Sequence, residues 1–598
     1  MAKAQPTVHV SRVRRKAVLR DGTEKTYRTD LLRHCYREGG KVKTVTVANL
    51  TSLPEEVVDE IDAMLKAHRA AKGQTPARAG ILVELGQVTV DRQLRHGDVA
   101  AIWAVACKLG LPKMLGPACP ERDAVMALVV ARLARPASKA STLRWLEDTT
   151  LGADLGLEGL DTDGAYAAMD WLAGRQPSLE RALAAKHLSD PAANPSRMAL
   201  ADLTSVWMEG VSCPLAQFGY SRDKKRGKTQ IEFALVTNPE GVPVALRVFE
   251  GNTNDSDACV EVIEALAAEF HMDQAVLVGD RGMVTGTRIA DLRERGKMGW
   301  IGALTHAQIR ALAGDQRPLQ MSLFDERDDL AVITDDAFPG ERLVACHNPL
   351  TAKRAAAKRE RLIQATLADL DKVRARVHKG TLRKAADIGE AVGKVIGKHK
   401  AAKFIATQIG DRKLVYQRDV LAVQAEEAAD GVYVIRTSLE AEQMPAADVV
   451  RSYKRLSRVE QDFAIIKGDD VQVRPVWHRR ADRVTAHLLI CMLASYLAWH
   501  LRQAWAELTF TDTCPDPEPD PVKPRTRSEQ AQSKASTGLD ADGNPVRSFR
   551  DMLDHLASMS RDTITLRPGV TTDILPAPTR TQARAFELIG APIPAKLR

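Results

Sequence analysis

Between Met198 and Leu304 the chain runs through strand-like and helical stretches in a single order, and that order constrains the fold more than any other feature. MALADLTSVWM (198–208), QIEFALVT (230–237) and VPVALRVF (242–249) read as strands, the last two flanking the turn Asn238-Pro239-Glu240-Gly241. ACVEVIEALAAEF is helical and AVLVGD a strand, and RIADLRERG (288–296) and MGWIGAL (298–304) add a helix and a strand. Three antiparallel strands leading through a crossover helix into two more predict an α/β fold built on a mixed five-stranded sheet.

The pattern is then interrupted. Residues 305–430 form a long excursion, mostly helical in period, and its 351–403 stretch holds fifteen Lys/Arg against five Asp/Glu. A solvated coiled-coil hairpin and a nucleic-acid-facing arm both fit that charge. GVYVIRTS (431–438) returns to strand, and DVVRSYKRLSRVEQDFAIIKG reads as one long amphipathic helix. The expected division is a basic β-rich module over 1–52, a helical DNA-binding region over 53–195 and a core over 196–304 and 431–512, interrupted by the basic insertion at 305–430. A disordered linker over 513–548, rich in Pro, Ser and charge, and a C-terminal segment over 549–598 complete it. The helical region within 85–120 could carry a helix-turn-helix.

Charge points to an anionic partner. The formal net charge is +8, and residues 1–50 alone carry twelve Lys/Arg against four Asp/Glu, with Arg14, Arg15 and Lys16 in a cluster. The eight cysteines are scattered without metal-ligand spacing, which predicts reduced thiols and a cytoplasmic protein. The N-terminus lacks the apolar run of a secretory signal, and the longest uncharged apolar stretch, Leu488 to Trp499, reads as a buried helix. No phosphate-binding loop of the GxxxxGK[ST] type occurs, so no ATP dependence is implied.

Three carboxylates stand out by position. Asp202 falls inside the first strand, Asp280 ends the fourth, and Glu460 lies mid-helix after the excursion. First and fourth strands are neighbours when a meander is followed by a crossover, so two aspartates and a glutamate from a helix across the sheet can converge. Clustered carboxylates repel unless cations compensate. Hard oxygen ligands suit Mg²⁺ or Mn²⁺, and two such ions stabilise the attacking and leaving oxygens in phosphodiester displacement.

With Asp202, the VGDRGM segment around Asp280, and Tyr453, Glu460 and Lys467 in place, the chain resembles the DDE transposases of bacterial insertion sequences, in which an insertion interrupts an RNase H-like core before the third acid. Their helix signature is Tyr-x2-Arg-x3-Glu-x6-Lys, and here Leu456 stands where the Arg would be. On a continuous helix Tyr453, Leu456, Glu460 and Lys467 share one face about 60° wide. GYSRDKKRGKTQIEFAL, EGNTND (250–255) and RPVWH (474–478) extend the resemblance.

The resemblance implies Asp202, Asp280 and Glu460 as catalytic metal ligands for Mg²⁺, with Mn²⁺ substituting. It also implies double-stranded DNA, both terminal inverted repeats and target, as the partner of a homodimer. Tyr453, Lys467 and Arg474, the arm residues Lys372, Arg374, Arg376 and Lys379, and the module residues Arg14, Arg15 and Lys16 are the expected DNA contacts. A catalytically silent DNA-binding descendant and an RNase H-like nuclease without strand transfer are the alternative readings.

Overall fold

The computed structural model describes residues 7–18, 24–38, 41–70, 88–209, 212–272, 275–294, 298–313, 317–324, 329–513, 520–523, 526–567 and 570–598. They fall into two compact units, Met1–Gln93 with Arg561–Leu575, and Leu94–Ser560 with Pro576–Arg598.

In the first unit β1 (Thr7–Val18), β2 (Glu24–Glu38) and β3 (Lys41–Asn49) form an antiparallel meander. The helix Glu55–Ala70 lies against it, with Arg12 paired to Asp59 at 2.6 Å and Arg14 to Glu55. A second sheet joins β4 (Thr89–Arg95) to the distant strands Ser560–Arg567 and Val570–Ile574.

The second unit holds most of the helical region expected over 53–195. Its helices Gly97–Leu109 and Pro120–Ala134 are buried along nearly their whole length, packed against the apolar helix Ala481–Ala504. A recognition helix needs an exposed polar face, and these sequences, AAIWAVACKL and AVMALVVARLA, are apolar all round, the pattern of a core helix. No helix-turn-helix is presented among the described residues of 85–120. Gly97 is fixed by this packing, because a Cβ there would meet the Leu556 carbonyl oxygen at 2.2 Å. Ala481–Ala504 is long and apolar enough to cross a membrane, yet the protein buries 83% of its most apolar window.

The central sheet has eight strands, not five. β5 (Met198–Trp207), β6 (Gln230–Thr237) and β7 (Pro243–Glu250) make the antiparallel meander, and β8 (Val276–Gly279) and β9 (Gly299–Ala303) add in parallel beside β5. The three extra strands, β10 (Leu330–Ile333), β11 (Arg342–His347) and a later one, come from the excursion and from the return of the chain. A free edge at β9 would leave a row of unpaired backbone groups.

The rest of the excursion is a separate subdomain with its own core. The helices Pro349–His378 and Ala385–His399 pack on the hairpin of β12 (Ile405–Gly410) and β13 (Lys413–Arg418) through Ile363, Leu370, Ile388 and Phe404. β14 (Val432–Thr437) then enters the sheet between β11 and β9, giving the order β10-β11-β14-β9-β8-β5-β6-β7.

Two further expectations change. The helix carrying Glu460 is broken at Arg455 into Ala446–Lys454 and Leu456–Lys467, so Tyr453 belongs to a different helix from Glu460 and Lys467. Part of the expected linker is ordered: Ser528 caps the helix Glu529–Thr537, and Lys534, buried, donates to the carbonyls of Ala506 (2.5 Å) and Thr509 (3.2 Å). Residues 514–519 and 524–525 of that linker lie outside the described residues.

Candidate active site

Parallel pairing of β5 with β8 sets the site. The register matches Ala201 with Gly279, so Asp202 and Asp280 follow one residue later on adjacent strands, about 4.8 Å apart in the pairing direction. Asp280 leaves the sheet in a tight turn, its Oδ1 accepting from the backbone N–H groups of Gly282 and Met283, both at 2.9 Å. The turn presses on the start of the preceding helix, Asp255–Glu264: a Cβ at Gly282 would lie 2.5 Å from Asp255 Oδ2. The Asp202 Oδ1 accepts from the neighbouring N–H of Leu203 at 2.8 Å.

Electrostatics link these groups to the helix across the sheet. Burial pushes the Asp202 carboxyl up to about 7, and the negative charges of Asp280 and Glu460 push the same way, against the Leu203 N–H and Arg222. The Tyr453 phenol rises to about 12, from burial first and then from Asp280, with Asp202 and Glu460 adding to it. Asp202 and Tyr453 therefore both feel the charges of Asp280 and Glu460 despite the break at Arg455. Glu460 is exposed and makes no hydrogen bond or ion pair among the described residues. As they stand, no three His, Cys, Asp or Glu side chains among the described residues close to metal-ligand geometry.

Lys467 has a different environment from the one its spacing suggested. Its ammonium donates to Thr204 Oγ1 (2.7 Å), the Ser205 carbonyl (2.6 Å) and Asp223 Oδ1 (3.1 Å), and burial lowers its pKa. An ammonium has three protons. All three are directed inward here. Arg474 pairs with the same Asp223 carboxylate. Leu456 sits in the main core, so the signature position that usually carries Arg makes no polar contact.

Asp223 was not legible as a site residue, because within SRDKKRGK it reads as one charge in a solvated run. Its side chain is only 3% exposed, and it ties together Lys467, Arg474 and the Trp207 N–H (3.3 Å). Beside it, Arg222 pairs with Asp255 and lies 3.8 Å from Glu232, whose carboxyl burial raises to about 7.

The other expected DNA contacts are dispersed. In the insertion helix Lys372 pairs with Asp369 (2.6 Å) and Arg374 with Asp371, the guanidinium also lying 5.1 Å from the Tyr416 ring centre, whereas Arg376 and Lys379 are exposed. Arg14, Arg15 and Lys16 are exposed on β1 in the first unit. A cleft of about 2280 Å³ is lined by Arg458, Asp462, Trp499 and Arg502 among others, but by none of the three acids.

This arrangement has a counterpart among known sequences. A family model described as a transposase DDE domain matches residues 200–497, which span β5 through the apolar helix and include all three acids. A second, the N-terminal domain of IS1634 family transposases, matches residues 16–79. No curated protein matches the chain. The chain belongs to the DDE transposases of insertion sequences.

Proposed function

We propose that this transposase cuts DNA at the ends of its element and joins the freed ends to target DNA, with Asp202, Asp280 and Glu460 as the catalytic acids on an RNase H-like core. The observation that carries the reading is the side-by-side placement of Asp202 within β5 and Asp280 at the end of the parallel β8, under the field of Glu460. In the first step a water oxygen attacks the phosphorus, the bond to the 3′ oxygen breaks, and a 3′-hydroxyl is left. In the second, that oxygen attacks a target phosphodiester and displaces its 3′ oxygen.

The donor set fits a divalent cation chemically: three hard carboxylates, one of them pushed up by burial first and then by its like-charged neighbours. Asp202, Asp280 and Glu460 would hold Mg²⁺, or Mn²⁺ in its place, and the ions would supply charge stabilisation for the attacking and leaving oxygens. The chain's own contribution is to orient. The Asp280 turn is fixed by two N–H groups, and Tyr453, half-buried beside the acids, limits water around them.

The working form is a homodimer on DNA, since two ends are joined. Arg14, Arg15 and Lys16 on the first unit hold the terminal repeat, and Arg376 and Lys379, with Lys372 and Arg374, hold DNA near the cut. A nicking assay on a terminal-repeat duplex, followed by a joining assay on pre-nicked ends, tests the reading. Metal-dependent nicking and joining are expected. Nicking without joining would indicate a simple nuclease, and repeat binding without nicking a silent DNA-binding descendant.

A further inference from the structure

The loop between β5 and β6 displays two aromatic rings that the fold does not use. Phe218 is 70% and Tyr220 84% exposed, and Trp477, from the segment after the Glu460 helix, is 68% exposed. None of the three rings stacks on another ring or a cation among the described residues. Their backbones, by contrast, are held firmly. Gln217 and Gln230 exchange N–H to carbonyl bonds (3.1 and 2.9 Å), the Gln230 side-chain amide donates to the carbonyls of Tyr220 (3.2 Å) and Gly251 (2.7 Å), and Gly251 N–H donates to Leu215 (3.0 Å). Gly219 allows this clamp, since a Cβ there would meet the Gly251 oxygen at 2.0 Å. Trp477 follows Val476, which bridges to Met208 and accepts from the Glu209 N–H at 2.9 Å.

Both attachments fall at one place, the far end of the β5–β6 ribbon at Trp207, Met208 and Gln230. Asp202 is five residues back along β5, about 17 Å away at the rise of a strand, a reach of a few nucleotides. The same loop carries cations: Lys224, Lys225 and Arg226 are exposed, and Lys225 covers Trp207, at the end of the ribbon, at 5.2 Å. A protein-binding patch would be depleted in lysine at its centre. Rigidly mounted aromatic faces among cations match unpaired nucleic acid, whose bases offer π-faces and whose backbone offers phosphates.

We propose that Phe218, Tyr220 and Trp477 form a stacking platform for unpaired bases at the DNA end beside the cut, with Lys224, Lys225 and Arg226 holding the adjoining phosphates. The proposal rests on the DNA-end reading above, but its test does not require cleavage. Full-length protein is titrated, without divalent metal, against a fully paired terminal-repeat duplex and against the same duplex with its last four pairs mismatched, by fluorescence anisotropy. Wild type should prefer the frayed end by about fivefold or more. Phe218→Ala/Tyr220→Ala and Trp477→Ala should each lose that preference while binding the paired duplex within about twofold of wild type, and Tyr220→Trp, which keeps a ring, should retain it. Equal affinity of wild type for both ends, variants that keep the preference, or variants weakened equally on both DNAs would overturn the platform. A protein that shows the preference yet never nicks DNA would sink the cleavage reading and leave the platform standing.

Discussion

Two polar centres lie on the same stretch of β5, and they are built in opposite ways. At Asp202 the neighbours are like-charged, the carboxyl is driven up to about 7, and Glu460 has no partner. At Thr204 and Ser205, two and three residues further on, every proton of Lys467 is matched to an acceptor and Asp223 is closed in by two cations and an N–H. The second centre is complete in itself and acts as a strut between loop, strand and helix. The first is electrostatically incomplete, as expected of carboxylates awaiting cations and phosphate.

Amide variants should separate the two most sharply. Asp202→Asn, Asp280→Asn or Glu460→Gln should each lower nicking by about a thousandfold or more, with end affinity within a few-fold of wild type. Asp223→Ala should act on stability instead, costing about 3 kcal/mol because it leaves the largely buried Lys467 without its counter-ion and removes the partner of the part-exposed Arg474. Chemical denaturation measures that loss, and a fully stable Asp223→Ala protein would remove the strut from the account. Asp202→Asn should move the other way and stabilise the metal-free protein by roughly 1–3 kcal/mol at pH 8, by relieving burial of a repelled charge.

The smallest effect is in pH. An Asp202 carboxyl near 7 when folded and near 3.9 when unfolded binds more protons in the folded state between those values, so its contribution to stability falls as pH rises from about 4 to about 7 and is level above. Glu232, raised to about 7, slopes in the same direction. Denaturation midpoints from pH 5 to pH 8 should therefore decline less steeply in Asp202→Asn than in wild type, without becoming flat. An unchanged slope would mean that Asp202 is not under strain.

The sequence carried the acid centre further than the strut. Apolar alternation around Asp202 and the strand exit at Asp280 are local signals, and the crossover places the two strands side by side. Asp223 gives no such signal, because its burial depends on Lys467 and Arg474, which arrive from more than 240 residues away. The same limit explains the sheet. LAVI and RLVACH are short apolar runs inside a basic excursion, and what makes them strands is pairing with each other and, for RLVACH, with the distant β14. For the 97–134 helices the information was present, since a sequence apolar on every side is a core sequence.

Ligand softness tests the central claim most directly. In Asp280→Cys a thiolate replaces a hard oxygen donor, so nicking of the terminal-repeat duplex should be lost in Mg²⁺ and recover in Mn²⁺, which tolerates sulfur better, while end binding stays at the wild-type level in both. Nicking by Asp280→Cys at the wild-type rate in Mg²⁺, or an equal loss in both metals, would contradict a metal-holding role for the Asp202, Asp280 and Glu460 centre.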